Sequence, residues 1–251
     1  MLFVDSGLYE QREGSDSHEP LQEMRLPNEW TENDFLKFVK TLPVDAPIAL
    51  VNWDQYDSYR AQIDAAQAFF SDHKSFLSVF LLKPEKEKKF HRISKLADDA
   101  SRLAAFDVIA VTEKELGDSL IERMANVARL RDLLDREEVE KPIHVFGALD
   151  PLHTPLFFAA GAEIFDGLGW LRYLWSDGVA IHRASLSVLG GHINKGHQQA
   201  VEIAQAQSLD MIEKLERRLK NFIKDDGDWS VFGEQRENAL EDAFLDMEST
   251  L

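Results

Sequence analysis

Short, continuous apolar runs alternate with segments of helical period along most of the chain. LFVD at 2–5, PIALVNWD at 47–54, SFLSVFLLK at 75–83, FDVIAVTE at 106–113, IHVFGAL at 143–149 and EIFDGL at 163–168 each have strand length and little internal polarity. Between them, residues 32–42, 57–73, 90–104 and 116–137 carry apolar positions at helical spacing, and TPLFFAAGA opens a short helix with Pro155 just inside its start. Strands that are apolar on both faces are buried on both, which means parallel pairing under covering helices. The alternation predicts an α/β fold of the (β/α)8 TIM-barrel type, with a doubly wound sheet as the alternative. Only six strands are evident, fewer than a closed barrel uses, so the expected barrel is incomplete or irregular.

Thr31, with Asp34 three residues on, reads as the N-cap of the helix that follows. The polar residues 10–29 read as a long loop. From His197 to Lys224 the apolar positions Val201, Ile203, Ala204, Leu209, Ile212, Leu215, Leu219 and Ile223 predict one long amphipathic helix. The acidic tail beyond it keeps Trp229, Phe232, Leu240, Phe244 and Leu245, enough to dock a short helix. The expected organisation is a barrel domain over residues 1–196 and a helical, acidic extension over 197–251.

Composition narrows the function classes. Hydrophobic residues at 44% and charged residues at 29% fit a packed globular protein and exclude a fibrous or wholly disordered one. No apolar run approaches the roughly 20 residues of a membrane span. The N-terminus lacks the basic and long apolar stretches of a secretory signal, so a cytoplasmic protein without membrane association is expected. The absence of cysteine removes disulfides, thiolate nucleophiles and cysteine zinc sites, and His182, His192 and His197 lack metal-ligand spacing. No metal and no other cofactor is expected. A formal charge of -17 repels polyanions, so any nucleic-acid binding needs a local basic patch or a basic partner subunit.

Three strands end in aspartate: Asp5, Asp54 and Asp166. The C-terminal strand ends form the mouth of a barrel, where convergent carboxylates suit general acid-base or nucleophilic work on an oxocarbenium-like centre. The plain alternative is that each acid caps a following helix. Lys83, Lys86, Lys88, Lys89, His91 and Arg92 cluster near a strand end but are interleaved with Glu85 and Glu87, which reads as a solvated turn or a phosphate-steering patch. A second basic group, Lys214, Arg217, Arg218 and Lys220, lies on the long helix.

DSGLYE at 5–10 resembles the DSGG-aromatic-Gln motif of the tRNA-guanine transglycosylases, with Leu8 for the second glycine and Glu10 for the glutamine. HVFGALDP, followed by AGAEIFDGLGWLR, resembles that family's Met-Gly-Val-Gly-Thr-Pro segment and its Gly-x-Asp-Met-Phe-Asp-Cys segment with a downstream arginine. The separation of Gly147 from Asp166 matches the family without a gap, and the resemblance spans residues 2–175. It implies base exchange at a guanine or 7-deazaguanine nucleotide in tRNA or DNA. In that scheme Asp166 is the nucleophile that holds the ribose and Asp5 is the acid that assists proton transfer. Tyr9 and Phe146 sandwich the base, Asp54 reads its edge, and Arg172 serves a phosphate or the nucleophile. Ser6 and Gly147 complete the implied substrate-binding set.

The chain also departs from that pattern. LLKPEKEKK stands where the family has a Gln-Gly pair, and AVTEKELGD where it has Gly-Gly-Leu, which implies a different or blocked base pocket. Thr112, Glu113 and Asp118 are then either new specificity groups or acids at a helix N-terminus. The family's zinc site is absent, and so is the segment that precedes its DSG motif. A partner chain in a homo- or hetero-oligomer is expected to complete the sheet or supply the nucleic-acid contacts. The competing expectation is a degenerate barrel that binds a purine-like ligand or a partner protein without turnover.

Overall fold

The computed structural model describes residues 1–7, 30–176 and 179–251, with Arg183, Glu234 and Gln235 described by backbone alone. The expected loop over 10–29 and the candidate Tyr9 lie outside the described residues. The chain divides into two compact units, Met1–Asp118 with Arg129–His144, and Ser119–Ala128 with Val145–Leu251.

All six expected strands form: β1 (Leu2–Val4), β2 (Ile48–Val51), β3 (Leu77–Leu81), β4 (Val108–Thr112), β5 (Ile143–Phe146) and β6 (Ile164–Phe165). They make one six-stranded sheet in the order β1-β2-β3-β4-β5-β6. β1 to β4 pair in parallel, with Val4 opposite Leu50, Val51 opposite Val79 and Phe80 opposite Ile109. Neighbours in the sheet are neighbours in sequence, so the strands wind in one direction. A doubly wound sheet would reverse its order at a switch point.

The first unit shows why its sheet cannot be flat. Strands four places apart in a flat sheet are about 19 Å apart, yet Phe3 on β1 meets His144 at the start of β5 edge-on, with ring centroids at 5.1 Å. The sheet of this unit therefore curls until side chains of its first and fifth strands touch.

β2 is buried at all four positions, as expected for a central strand covered on both faces. Its covering helices are α1 (Glu32–Val39) and α2 (Tyr59–Ser71). Thr31 and Asp34 form the expected reciprocal capping box at the start of α1. From α1, Phe35 and Val39 pack with Val4, Ile48 and Leu50, and Trp53, Phe69 and Phe70 close around them. Burying a side chain such as Phe35 contributes about 2–3 kcal/mol. The segment expected as a helix over 90–104 forms a run of 3₁₀ turns, Ile93–Ala105, which buries Leu96, Ala100 and Leu103. A one-turn helix, α3 (Glu113–Leu116), follows β4 directly, and α4 (Leu120–Arg136) contributes residues to both units.

In the second unit α5 (Thr154–Ala159) starts with Pro155 in its first turn, and a one-turn helix, α6 (Gly169–Arg172), follows β6. An antiparallel hairpin that sequence patterning had not suggested, β7 (Tyr173–Ser176) with β8 (Val179–His182), comes next. Leu174 and Ile181 of this hairpin pack on Ala200 and Ala204 of the long helix α7 (His197–Lys224), and Ser208 donates to the Tyr173 carbonyl at 2.8 Å. The tail docks as expected: Phe222 of α7 meets Trp229 and Phe232, and Trp229 meets Phe244 of α8 (Glu234–Glu248). Among the described residues no helix is long and apolar enough to cross a membrane.

Candidate functional site

In the first unit the C-terminal ends of β1 to β4 carry a connected set of polar side chains. β1 ends in the Asp5-Ser6-Gly7 turn. Gly7 has φ +75°, a conformation that side-chain-bearing residues adopt only with strain. The turn is braced from outside by Trp30, whose Nε1 donates to the Ser6 carbonyl at 2.7 Å. Inside it, the Ser6 N–H donates to Asp5 Oδ1 at 2.7 Å, while the Ser6 hydroxyl donates to Asp54 Oδ1 at 2.9 Å. One buried serine thus links the carboxylates that end β1 and β2.

The other oxygen of Asp54 faces Lys83, just beyond β3, with Nζ to Oδ2 at 3.3 Å. Lys83 also pairs with Glu115 Oε2 of α3 at 2.7 Å and donates to Thr112 Oγ1 at the end of β4 at 3.1 Å. The ammonium is thus balanced by two carboxylates as ion pairs and donates a hydrogen bond to Thr112. Tyr56 donates to the remaining Glu115 oxygen at 2.9 Å, and its ring lies 5.5 Å from the ammonium. Lys83 is only 2% exposed and Asp54 8%. Burial alone would lower the lysine's proton affinity, but Asp54 and then Glu115 outweigh it and hold the group charged.

The backbone of Lys83 is clamped as tightly. Gln62 of α2 accepts from the Lys83 N–H at 2.9 Å and donates to its carbonyl at 3.0 Å. Asn52 does the same for Leu81, accepting from its N–H at 2.6 Å, so amide side chains extend the pairing past the ends of the strands. Behind this layer lies His91, 4% exposed, with Nδ1 3.4 Å from the Tyr59 hydroxyl. Burial, and then the nearby Lys83 charge, push its midpoint down to about 3, so the imidazole is neutral.

Asp5 differs from its neighbours in keeping an exposed face. Its carboxyl is nevertheless pushed up to about 6, first by the protein surrounding it and then by the negative charge of Asp54. Donation from the Ser6 and Gly7 N–H groups and the Lys83 charge oppose the rise without cancelling it. A carboxyl that solvent can reach, poised to exchange a proton near neutrality, is the equipment of a general acid or base.

The basic cluster read from sequence does not survive as one surface. Lys83 and His91 are buried rather than part of a solvated turn. Arg92 pairs with Glu85, and Lys89 reaches Asp118 at 3.3 Å. On α7, Lys214 pairs with Asp210 and Lys220 with Glu216, each one helical turn away. Of the three residues weighed as new specificity groups, Thr112 belongs to the cluster and Asp118 is spent on Lys89, while Glu113 opens α3.

In the second unit Gly147 leaves β5 with φ +84°, again a glycine conformation. Its N–H donates to Asp166 Oδ1 at 2.8 Å, and the Leu149 N–H donates to the Asp166 carbonyl at 2.9 Å. The exposed Asp166 carboxylate at the end of β6 is thereby oriented by the backbone of the preceding strand end. Phe146 is half-buried at the end of β5. Arg172 closes α6, and its Nε is buried without a hydrogen-bond partner among the described residues. Asp150 ties the same loop by accepting from the Leu152 and His153 N–H groups, each at 2.8 Å.

Of the candidates read from sequence, Asp5, Ser6 and Asp54 come together in the first unit, and Gly147 and Asp166 in the second. Sequence reasoning missed Lys83 as a site residue, and with it Glu115, Tyr56 and Gln62. The available signal was position: Lys83 ends the apolar run SFLSVFLLK as Asp54 ends PIALVNWD. No protein-family model matches the chain, and no curated protein matches it. Among the described residues no group of three or more histidine, aspartate or glutamate side chains is arranged to hold a metal ion.

Proposed function

We propose that the chain is a base-exchange glycosyltransferase, or an N-glycosidase, of the tRNA-guanine transglycosylase type. Its substrate is a guanine or 7-deazaguanine nucleotide in tRNA or DNA. The observation that carries this reading is Asp5: an exposed carboxyl on a Ser-Gly turn at a strand end, pushed up to about 6 beside a buried anion. The one-directional strand order and the curl of the first unit support a barrel with an open edge.

In the reaction that the family resemblance implies, an Asp166 oxygen bonds to the ribose C1′ as the glycosidic C–N bond breaks. The departing base takes the electron pair of that bond and a proton from Asp5. The incoming base then displaces Asp166 from C1′ and returns a proton to Asp5, while water in its place gives hydrolysis. The backbone hydrogen bond from Gly147 suits a nucleophile that must keep one orientation. Arg172, with its unsatisfied Nε, is suited to a phosphate. The chain's charge of -17 leaves most of the polymer contact to a local basic patch or a basic partner subunit.

Incorporation of labelled guanine into bulk tRNA and into DNA tests this. Asp166→Asn is expected to abolish exchange and Asp5→Asn to slow it by about 10²- to 10⁴-fold. Full activity of Asp166→Asn would sink the mechanism.

The state of Asp54 favours a second reading. Its two oxygens are engaged by Ser6 and Lys83, which leaves less capacity for a guanine edge. On this reading the chain is a catalytically degenerate protein-assembly module. Calorimetry showing no binding of guanine or 7-deazaguanine, together with no exchange in either polymer, would select it.

A further inference from the structure

We infer that Lys83 is the positioning residue of this site: by holding Asp54 against Ser6 from behind, its buried ammonium fixes the charge that faces Asp5. The inference rests on the reading that Asp5 is the acid-base group.

Lys83 Nζ lies 3.3 Å from Asp54 and 2.7 Å from Glu115 and donates to Thr112 at 3.1 Å. At 2% exposure it is out of reach of a substrate, and a protonated amine is no nucleophile, which argues against a Schiff-base or phosphate-binding role. What remains is action through its neighbours. Asp54 is held from one side by Lys83 and from the other by the Ser6 hydroxyl, and the same serine donates its N–H to Asp5. A continuous path therefore runs from Tyr56 through Glu115, Lys83, Asp54 and Ser6 to Asp5. Asp5 and Ser6 follow β1, Asp54 and Tyr56 follow β2, Lys83 follows β3, and Glu115 lies on α3. The bidentate grip of Gln62 on the Lys83 backbone keeps the chain of contacts in register. Among the described residues, the charges that act on Asp5 are Asp54 and Lys83, and the Ser6 and Gly7 N–H groups donate to it. Glu115 and Tyr56 stand behind Lys83, as does neutral His91.

The test is a carboxyl titration by carbon NMR of aspartate-labelled protein, compared among wild type, Lys83→Met, Lys83→Arg and Asp54→Asn. Lys83 lowers the midpoint of Asp5, so Lys83→Met is expected to move that midpoint up by about one pH unit or more. Lys83→Arg is expected to restore it, and Asp54→Asn to bring Asp5 down toward the usual carboxylate range. If Lys83→Met does not fold, Lys83→Met with Glu115→Gln removes one cation and one anion together and is expected to show the same upward movement. A folded Lys83→Met or double variant with the wild-type midpoint would overturn the inference, because a merely structural lysine would alter thermal stability and not this titration. The measurement needs no turnover. A chain that shows the shift but exchanges no base rejects the proposed reaction alone, whereas one that exchanges base without the shift rejects the role of Lys83.

Discussion

His91 and Asp5 sit in one unit and titrate in opposite senses, which gives stability a two-sided dependence on pH. His91 is held neutral with its midpoint near 3, below the ordinary value of 6.5. Between those values the unfolded chain binds the extra proton, so the contribution of His91 is complete above 6.5 and is lost as pH falls toward 3. Asp5 is raised from 3.8 to about 6, so its folded form binds the extra proton in that interval. Its contribution is complete below 3.8 and is lost as pH rises through 6. The two partly cancel between those limits, and His91 stands alone below them. Urea unfolding of wild type and His91→Gln across this range is expected to show a stability difference that shrinks as pH falls. Parallel curves would mean that His91 takes up no proton on unfolding.

At the scale of elements, α1 holds the first unit's core through one aromatic side chain. Phe35 is fully buried, lies 5.8 Å from Trp53 and stacks on Phe69 at 6.1 Å between centroids. Phe35→Ala is expected to cost about 3–5 kcal/mol in chemical denaturation, whereas the exposed Phe38 on the same helix should tolerate alanine. Helices and strands of this kind were legible in the sequence because burial imposes periodicity: the fully apolar β2, the capping box at Thr31 and the apolar face of α7 all announced themselves. The β7–β8 hairpin did not, because YLWS and VAIH are short, and the apolar packing of the hairpin on α7 rests on Leu174 and Ile181. The site was legible to the same extent. Asp5 and Asp54 stand out as acids ending apolar runs. Lys83 is followed by PEKEKK and looks like the first residue of a solvated turn, and nothing local tells that its ammonium turns inward. Its partners come from the ends of β2 and β4 and from α3, a proximity that only the winding of the sheet creates.

For the whole molecule, the excess of 45 acidic over 28 basic residues sets a uniform repulsion against which the local pairs act. Exposed pairs such as Lys89 with Asp118 contribute little, so screening should relieve more repulsion than attraction. The melting temperature is expected to rise between low and moderate sodium chloride, and a fall would show that the ion pairs outweigh the net charge. The consecutive order of the strands also bears on how the chain is made. Each strand from β2 to β4 pairs with the one translated just before it, so the sheet can lengthen in step with synthesis. The last piece of the first unit, Arg129–His144, leaves the ribosome only after Ser119–Ala128, which belongs to the other. The nascent first unit must therefore wait for its final strand while a length of foreign chain passes, although every residue of the polar network around Lys83 has by then been made.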